Sequence, residues 1–342
     1  DEDLLALWGE RLLAEVHRPF EAGPRKLRLA GTLAGALWPR DGLDFYQLLR
    51  HTDMALFEAR RQQRNYLCFS APMLERVMRR EAMQRQLLQA VQHGEITLVY
   101  QPIWDNRLGR VAKLEALARW QHPEYGLISP ARFIPLAEHN GLIDQLTEVI
   151  IGKALRDGHL WAQTGLSLNL SMNLSTTSLI EGDLCYTLLN HCQRWSINPE
   201  LITLEVTESA FVKDLGKSLE VLTRLRMHGF GLSIDDFGTG YSSMQQLALL
   251  PFTELKLDRS FVDRCYEDPS RLAIIESSIE LARKLGLKSV AEGVEDEATW
   301  LLLARLGCDQ CQGFFSARPM PREELLVWHD TWRERLPALI GR

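Results

Sequence analysis

Apolar positions recur with helical spacing along most of the N-terminal part of the chain. The spacing predicts helices over residues 1–17 and 43–61, with a strand broken by small residues over 26–38 between them. A polar, Arg- and Gln-rich stretch, residues 71–93, keeps one apolar side and predicts a linker helix. A helix–strand–helix series this short would bury little core alone. We therefore expect residues 1–70 to be part of a domain that begins upstream of residue 1.

From residue 96 onward the pattern changes to short strand-like runs, separated mostly by helical segments. The runs are 96–103, 112–119, 166–174, 202–207, 229–235, 254–258, 287–291 and 310–315. Eight strands with helices between them predict a β/α barrel of roughly 250 residues, the usual size of that architecture. The expected fold class is α/β, a TIM-like barrel preceded by a small α/β fragment. The expected units are residues 1–70, the linker helix 71–93 and the barrel 94–335.

Four of these runs alternate between apolar and mostly polar side chains, which face opposite sides of a strand. If the apolar sides pack beneath the helices, the polar sides point into the barrel, which is normally filled with branched apolar residues. Near the C-terminal ends of the runs, the inward set contains Glu115, Asn173, Glu205 and Asp235. An antiparallel sheet with one solvated face alternates in the same way. Four such runs in a β/α rhythm favour the barrel.

Three carboxylates brought together inside a barrel would repel one another unless cations neutralised them. Oxygen ligands favour a hard divalent ion such as Mg²⁺ or Mn²⁺. Asp236 follows Asp235 where the strand enters a glycine-rich loop, so a second ion could be held beside the first. Two ions about 3.5–4 Å apart are the usual device for in-line attack on a phosphodiester. These residues therefore predict a metal-dependent phosphodiesterase.

Composition adds restrictions on location and partners. The net charge of −6 argues against a general binder of nucleic-acid polymers, which usually carries a basic surface. An acidic enzyme can still take a phosphate substrate when metal ions supply the positive charge. No apolar run approaches the roughly 20 residues of a membrane-spanning helix, and the six cysteines are scattered, as in proteins with reduced thiols. We expect a cytoplasmic protein without membrane contact in this segment.

The strand that carries Glu115 contains the signature Glu115-Ala116-Leu117, and further motifs lie before and after it along the chain. The motifs are Tyr100-Gln101-Pro102-Ile103, Glu115-Ala116-Leu117-Ala118-Arg119-Trp120, Met172-Asn173-Leu174-Ser175, Glu205-Val206-Thr207-Glu208, Asp235-Asp236-Phe237-Gly238-Thr239-Gly240-Tyr241-Ser242-Ser243, Lys256-Leu257-Asp258, Ala291-Glu292-Gly293-Val294-Glu295 and Gln312-Gly313-Phe314-Phe315. Residues 84–335 thus resemble an EAL domain throughout.

The resemblance implies an activity. EAL domains are phosphodiesterases that linearise the bacterial second messenger cyclic di-GMP to 5′-pGpG, and they are often homodimers. Two bound Mg²⁺ or Mn²⁺ ions are implied with that activity. Inactive members of the family, which usually lack metal ligands, act as cyclic di-GMP receptors, so a catalytically silent receptor is the alternative. A phosphodiesterase for another substrate, such as pGpG or a nucleic acid, is a third hypothesis. No ligand position is missing here, which favours the active enzyme.

The resemblance also implies a role for individual motif residues. The ligands of the first metal would be Glu115, Asn173, Glu205 and Asp235, and those of the second would be Asp235 and Asp236. Lys256 would hold the attacking water. The remaining members of the catalytic set would be Glu115, Glu292, Gln312 and Glu208, the last anchoring the loop 236–243. The substrate contacts would be Gln101, Leu117, Arg119 and Phe314, with Arg119 at a phosphate.

Two features depart from the pattern of a complete EAL protein. Asn169 offers a second Asn-x-Ser on the same face as Asn173, although the spacing to the next strand favours Asn173.

Residues 1–70 resemble the tail of a GGDEF, or diguanylate cyclase, domain. The matching segments are Arg18-Pro19-Phe20, Trp38-Pro39-Arg40-Asp41-Gly42 and Asp53-Met54-Ala55-Leu56-Phe57-Glu58-Ala59-Arg60. The Gly-Gly-Asp-Glu-Phe signature is missing, so we expect no cyclase activity. The parent protein could carry a membrane anchor upstream of residue 1.

Overall fold

The protein is described here from a computed structural model. The described residues are 2–22, 25–62, 64–166, 168–181, 183–208, 214–238, 247 and 249–340. The chain divides into two compact units, residues 1–86 and 87–342. The boundary between the units falls inside one long helix, residues 71–93.

The N-terminal unit combines three helices with two small sheets. Its elements are α1 (Glu2–Val16), β1 (Phe20–Ala22), β2 (Arg25–Leu27), β3 (Leu33–Gly35), α2 (Phe45–Arg61), β4 (Tyr66–Cys68) and α3 (Ala71–His93). β1 and β2 pair antiparallel, whereas β3 and β4 pair parallel. The three predicted helices are confirmed, and the predicted strand over 26–38 is divided into β2 and β3. Ala55, Phe69 and Met73 form a small buried cluster.

The second unit contains a closed barrel. Its strands are β5 (Ile96–Asp105), β6 (Arg110–His122), β7 (Gly126–Ile128), β8 (Asn169–Leu174), β9 (Ile202–Thr207), β10 (Gly231–Phe237), β11 (Glu254–Leu257), β12 (Lys288–Ala291) and β13 (Gln310–Cys311). Around the ring the order is β5-β13-β12-β11-β10-β9-β8-β6, and pairing of β5 with β6 closes it. β7 extends β6 at one edge. The eight predicted strands and the TIM-like barrel are confirmed.

One strand runs against the others. β5 pairs antiparallel with both β6 and β13, and the remaining barrel pairs are parallel. Parallel neighbours need a connection of a dozen or more residues, but only residues 106–109 separate β5 from β6. Asp105 stabilises this short turn, because its side chain accepts hydrogen bonds from the N–H groups of Arg107 and Leu108. The barrel therefore begins with a hairpin, which the sequence pattern did not predict.

Helices cover the outside of the barrel. They are α4 (Pro130–His139), α5 (Ile143–Gln163), α6 (Thr176–Glu181), α7 (Leu184–Trp195), α8 (Leu215–Met227), α9 (Arg259–Val262), α10 (Pro269–Lys284), α11 (Glu297–Leu306) and α12 (Arg322–Ile340). Aspartate side chains cap five of the N-termini by accepting backbone N–H groups; they are Asp183, Asp214, Asp258, Asp268 and Asp296. Among the described residues, no helix is long and apolar enough to cross a membrane.

The apolar side of each alternating strand packs beneath these helices, as predicted. On β9 and β10 this side is fully buried: Leu204, Val206 and Leu232 are 0% exposed, and all three belong to the main core. The opposite side of the same strands faces the barrel interior. The parallel strands all end at one end of the barrel, which we call the mouth.

Candidate metal centre and active site

The polar residues predicted to converge do meet inside the barrel mouth. Glu115 on β6 accepts hydrogen bonds from Asn173 Nδ2 at 2.7 Å and from Gln312 Nε2 at 2.6 Å. Gln312 Nε2 also donates to Gln101 Oε1 on the reversed strand β5, at 3.1 Å. Strands β5, β6 and β8, together with the residue that follows β13, thus bring four polar side chains to one place.

Lys256 on β11 lies at the centre of the acidic side chains. Its Nζ is 2.5 Å from an oxygen of Glu205 and 2.5 Å from one of Glu292. Asp235 follows at 3.3 Å and Glu115 at 4.0 Å. We refer to Glu115, Glu205, Asp235 and Glu292 as the carboxylate cluster. One ammonium group faces four carboxyl groups, so the cluster has too few positive charges to balance it.

The pKa values express this imbalance. Burial, with the charge of Glu205, raises the pKa of Glu115 to about 7, and burial raises that of Glu292 to about 8. Burial alone would raise the pKa of Glu205, but the charges of Lys256 and Lys113 bring it below its usual value. Burial alone would lower the pKa of Lys256, but the surrounding carboxylates raise it well above its usual value. The cluster therefore favours any additional positive charge.

An irregularity in β10 directs its two adjacent aspartates. The pairing register between β10 and β11 shifts between Ile234 and Phe237, so Asp235 and Asp236 lie in a β-bulge. Asp236 has a φ of 56°, a left-handed conformation that is uncommon for residues other than glycine. A bulge of this kind changes the direction in which a side chain points. Here it lets two consecutive carboxyl groups reach the same site, although neighbours in a regular strand face opposite sides.

The donor set fits a hard divalent cation. One oxygen each from Asp235, Asp236 and Glu292 lies within 4.8 Å of the others. Glu115 and Asn173 stand in contact beside them. All of these donors are oxygen atoms, which suits Mg²⁺ or Mn²⁺. The raised pKa values of Glu115, Asp235 and Glu292 mean that bound cations would relieve the repulsion among these carboxylates.

The alternative asparagine lies elsewhere. Asn169 pairs in register with Lys113 and is exposed at the opposite end of β8 from Asn173. The structure thus brings Asn173, and not Asn169, to Glu115. Glu208 is buried directly after β9, where its Oε2 accepts a hydrogen bond from the N–H of Gly238 at 3.3 Å. The predicted anchoring of the loop beyond Gly238 falls on residues 239–243, which lie outside the described residues.

Two cavities open at the mouth. The first, of about 270 Å³, contains the carboxylate cluster residues Glu115, Asp235 and Glu292, and three predicted substrate contacts line it: Gln101, Leu117 and Phe314. The second, of about 730 Å³, is adjacent because Phe314 lines both. Its basic side chains are Arg119, Lys153, Arg156, Arg318 and Arg322. Arg119, the fourth predicted substrate contact, therefore faces the larger cavity.

The sequence patterns did not predict some of the residues that line or contact the site. Arg259 and Glu295 line the smaller cavity and form an ion pair at 2.6 Å. Ser171 donates a hydrogen bond to Glu205 inside the barrel. Ser171 could have been found from its place on the polar side of its strand. Arg259 begins the four-residue helix α9 and Glu295 lies in the connection between β12 and α11, so neither belongs to a segment long enough for a periodic pattern to indicate direction.

Close backbone contact shapes the cavity floor at two glycines. A side chain at Gly313 would lie 1.9 Å from the carbonyl oxygen of Val294, so only glycine fits there. Gly293 has a φ of 68° and packs against Arg259. The close approach of Gly313 to Val294 explains why β13 ends at Cys311 instead of continuing to residue 315 as predicted, because the chain turns there to pass Val294. The turn places Gln312 over Glu115.

A closed eight-stranded barrel surrounded by helices, with an oxygen-donor cluster at its mouth, fits the TIM-like barrel expected for an EAL domain. The chain belongs to the EAL domain family, which it matches over residues 84–319. The chain is 39% identical over 324 residues to the bifunctional diguanylate cyclase/cyclic di-GMP phosphodiesterase MucR of Pseudomonas aeruginosa, covering 94% of this chain and 47% of MucR.

Another relative and a solved structure are similar to the chain as well. The chain is 36% identical over 314 residues to the cyclic di-GMP phosphodiesterase NbdA of Pseudomonas aeruginosa, covering 91% of this chain and 40% of NbdA. It resembles the solved structure of the PaMucR phosphodiesterase in complex with c-di-GMP with a TM-score of 0.68 and 44% identity, covering 70% of this chain and 98% of that one. The chain spans about half the length, or less, of these curated relatives.

Proposed function

We propose that the chain hydrolyses cyclic di-GMP to linear 5′-pGpG with a metal-activated water. The observation that carries this proposal is the carboxylate cluster around Lys256, in which every ligand position of the family is filled by an oxygen donor. MucR and NbdA, which are named as cyclic di-GMP phosphodiesterases, support the substrate. The complete donor set argues against the silent receptor.

The chain's residues would divide the work as follows. Glu115, Asn173, Glu205 and Asp235 would hold one Mg²⁺ or Mn²⁺, and Asp235 with Asp236 would hold a second. When bound, such ions lower the pKa of a water and offset negative charge on phosphoryl oxygens. The raised pKa of Lys256 keeps its amine protonated, so Lys256 would orient the water by donating a hydrogen bond. Gln312 and Glu208 would keep Glu115 and the Gly238 backbone in place.

The substrate would occupy both cavities. The smaller cavity, of about 270 Å³, would hold the scissile phosphate beside Gln101 and Leu117. The remainder would extend past Phe314 into the larger cavity. Arg119 would bind a phosphate there, since its guanidinium group can donate two parallel hydrogen bonds. The ring of Phe314 is 42% exposed and offers a flat apolar surface to a guanine base.

A turnover assay tests this proposal. Purified protein is incubated with cyclic di-GMP and either Mg²⁺ or Mn²⁺, and pGpG is measured with Glu115→Ala as the control. We expect pGpG from the unchanged protein, and no product when the metal is chelated. Product no higher than that of the control variant would contradict the proposal. Tight binding of cyclic di-GMP without turnover would instead support the receptor alternative.

The organisation of the chain remains part of the proposal. We infer that residues 1–70 are a GGDEF-like unit without cyclase activity, residues 71–93 a linker helix, and residues 94–335 the phosphodiesterase barrel. Support for the first unit comes from the motif segments and from the parallel pairing of β3 with β4. Homodimer formation and a cytoplasmic location are further predictions, which size-exclusion chromatography with light scattering and cell fractionation would test.

A further inference from the structure

A second buried ion pair crosses the barrel beneath the carboxylate cluster. Lys113 on β6 donates to Glu254 on β11, and the two residues are 2% and 6% exposed. Within the ring of eight strands, β6 and β11 are four steps apart in either direction. The pair therefore joins strands on opposite sides of the barrel. Most contacts between strands, by contrast, join neighbours in the ring.

The pair lies one layer below the site on the same two strands. Lys113 precedes Glu115 by two residues, and Glu254 precedes Lys256 by two residues. Side chains two residues apart in a strand face the same side. In the upper layer, Lys256 Nζ and a Glu115 oxygen are 4.0 Å apart, so they also connect β11 with β6. Two cross-barrel charge pairs thus stack along the barrel axis.

Stability alone does not explain a charged pair at this depth. Removing two charges from water is expensive, and apolar residues of similar size often serve as well or better. The interior of a β/α barrel is normally filled with branched apolar side chains. A directional ion pair differs from an apolar pair in fixing the distance between the elements that carry it. That property matters here because the ligands above it come from both sides of the barrel.

We propose that Lys113 and Glu254 are positioning residues, which set the separation of β6 and β11 and thereby hold Glu115 at the right distance from Lys256 and Asp235 for metal binding. This inference rests on the proposed function. Neither residue lies in the donor set. The charge of Lys113 also lowers the pKa of Glu205, but replacing Lys113 together with Glu254 leaves the net charge of the layer unchanged. Their remaining effect would be exerted through the strands.

Three variants separate positioning from packing. Lys113→Met leaves Glu254 buried without its partner, and we expect its melting temperature to fall by about 10 °C. The double variant Lys113→Met with Glu254→Leu replaces the pair by apolar groups of similar size, and its melting temperature should stay within about 3 °C of the unchanged protein. Lys284→Met with Glu280→Gln removes an exposed ion pair on α10 and is the matched control.

The decisive measurement is calorimetric titration of the metal-free proteins with Mn²⁺, followed by steady-state kinetics. For the double variant we expect the Mn²⁺ Kd to rise about 10-fold, as when partners of metal ligands are removed. Its kcat should fall with little change in KM, since no substrate contact is altered. The control should match the unchanged protein in both measurements.

The outcomes distinguish the two proposals. A double variant that keeps its melting temperature and also binds Mn²⁺ as tightly as the unchanged protein would overturn the positioning role and leave the proposed function intact. A double variant that no longer folds would overturn it too, because the pair would then be needed for packing. Failure of the unchanged protein to bind Mn²⁺ or to release pGpG would instead contradict the proposed function itself.

Discussion

The two sides of the barrel strands obey different rules. On the outer side, Leu232 and its apolar neighbours are close-packed against helices, as in any soluble protein. On the inner side, the same strands carry Glu205, Asp235 and Lys256 in a space from which water is largely excluded. The outer side supplies the free energy of folding, whereas the inner side costs free energy unless its charges are balanced. A single alternating pattern thus separates stability from chemistry residue by residue.

The largest expected effect comes from removing a carboxylate at the centre of the inner side. Glu115→Gln removes a carboxylate while keeping the size of the side chain and an acceptor for one of its two donors, Asn173 or Gln312. Turnover of cyclic di-GMP should fall about 10³-fold or more, because Lewis-acid stabilisation by a bound metal is worth several kcal/mol. Steady-state release of pGpG is the measurement. Activity within 10-fold of the unchanged protein would show that Glu115 is not a metal ligand.

Neighbouring residues on β10 test the contrast directly. Leu232→Ala should reduce the free energy of unfolding by about 2–5 kcal/mol, since it leaves a hole in the outer core. Ser233→Ala should change it by no more than about 0.5 kcal/mol, because the Ser233 hydroxyl is buried without a hydrogen-bond partner among the described residues. Urea unfolding of both variants is the comparison. Equal losses would mean that the two sides do not differ in this way.

The free-energy cost of the inner side can be measured from how the stability of the metal-free protein depends on pH. Glu115 and Glu292 have pKa values of about 7 and about 8 in the folded chain, above the usual value. The folded state therefore binds more protons than the unfolded state between about pH 5 and 8, so stability falls as pH rises through that range. We expect a loss of about 1–3 kcal/mol, measured by urea unfolding in chelator.

Bound cations should remove most of that dependence. Saturating Mn²⁺ would favour the ionised carboxylates, so the unfolding free energy should become nearly independent of pH over the same interval. The same experiment on Leu232→Ala provides the control, since its slope against pH should match that of the unchanged chain. A flat profile without metal would mean that the cluster is not destabilised by its own charge.

The smallest effect is expected at the rim. Arg318 lies 4.3 Å above the ring of Phe314, a cation–π contact worth about 0.5–1 kcal/mol at an exposed site. Arg318→Ala should leave kcat nearly unchanged and alter the KM for cyclic di-GMP by a few-fold, because the ring loses the group that orients it. Arg305→Ala on α11 is a suitable control, because Arg305 lines neither cavity. A kcat loss above 10-fold would place Arg318 closer to the chemistry than proposed.

Alternation along single strands predicted much of this architecture. Short strand-like runs located all eight barrel strands, and alternation in four of them predicted the inward direction of Glu115, Asn173 and Glu205, because the two-residue period of a strand is local. It did not predict that β5 is reversed. That difference depends on the length of the turn at residues 106–109, which alternation does not measure.

Local sequence patterns could not predict the features that depend on closure of the ring of strands. Lys113 lies on the polar side of its strand, but its partner Glu254 is 141 positions away and becomes a neighbour only across the closed barrel. The bulge at Asp235 and Asp236 likewise depends on the register with β11. Such details follow from the order and stagger of strands, which no single segment encodes.

The reversal of β5 has a consequence for how the barrel is connected to the chain before it. Had β5 run parallel to its neighbours, the chain would have entered at the closed end, opposite the site. As it is, β5 begins at Ile96 on the mouth side, and the same strand carries Gln101 into hydrogen-bond contact with Gln312. The polypeptide therefore enters the barrel at the same end as the site, and Ile96 and Gln101 lie on one continuous strand.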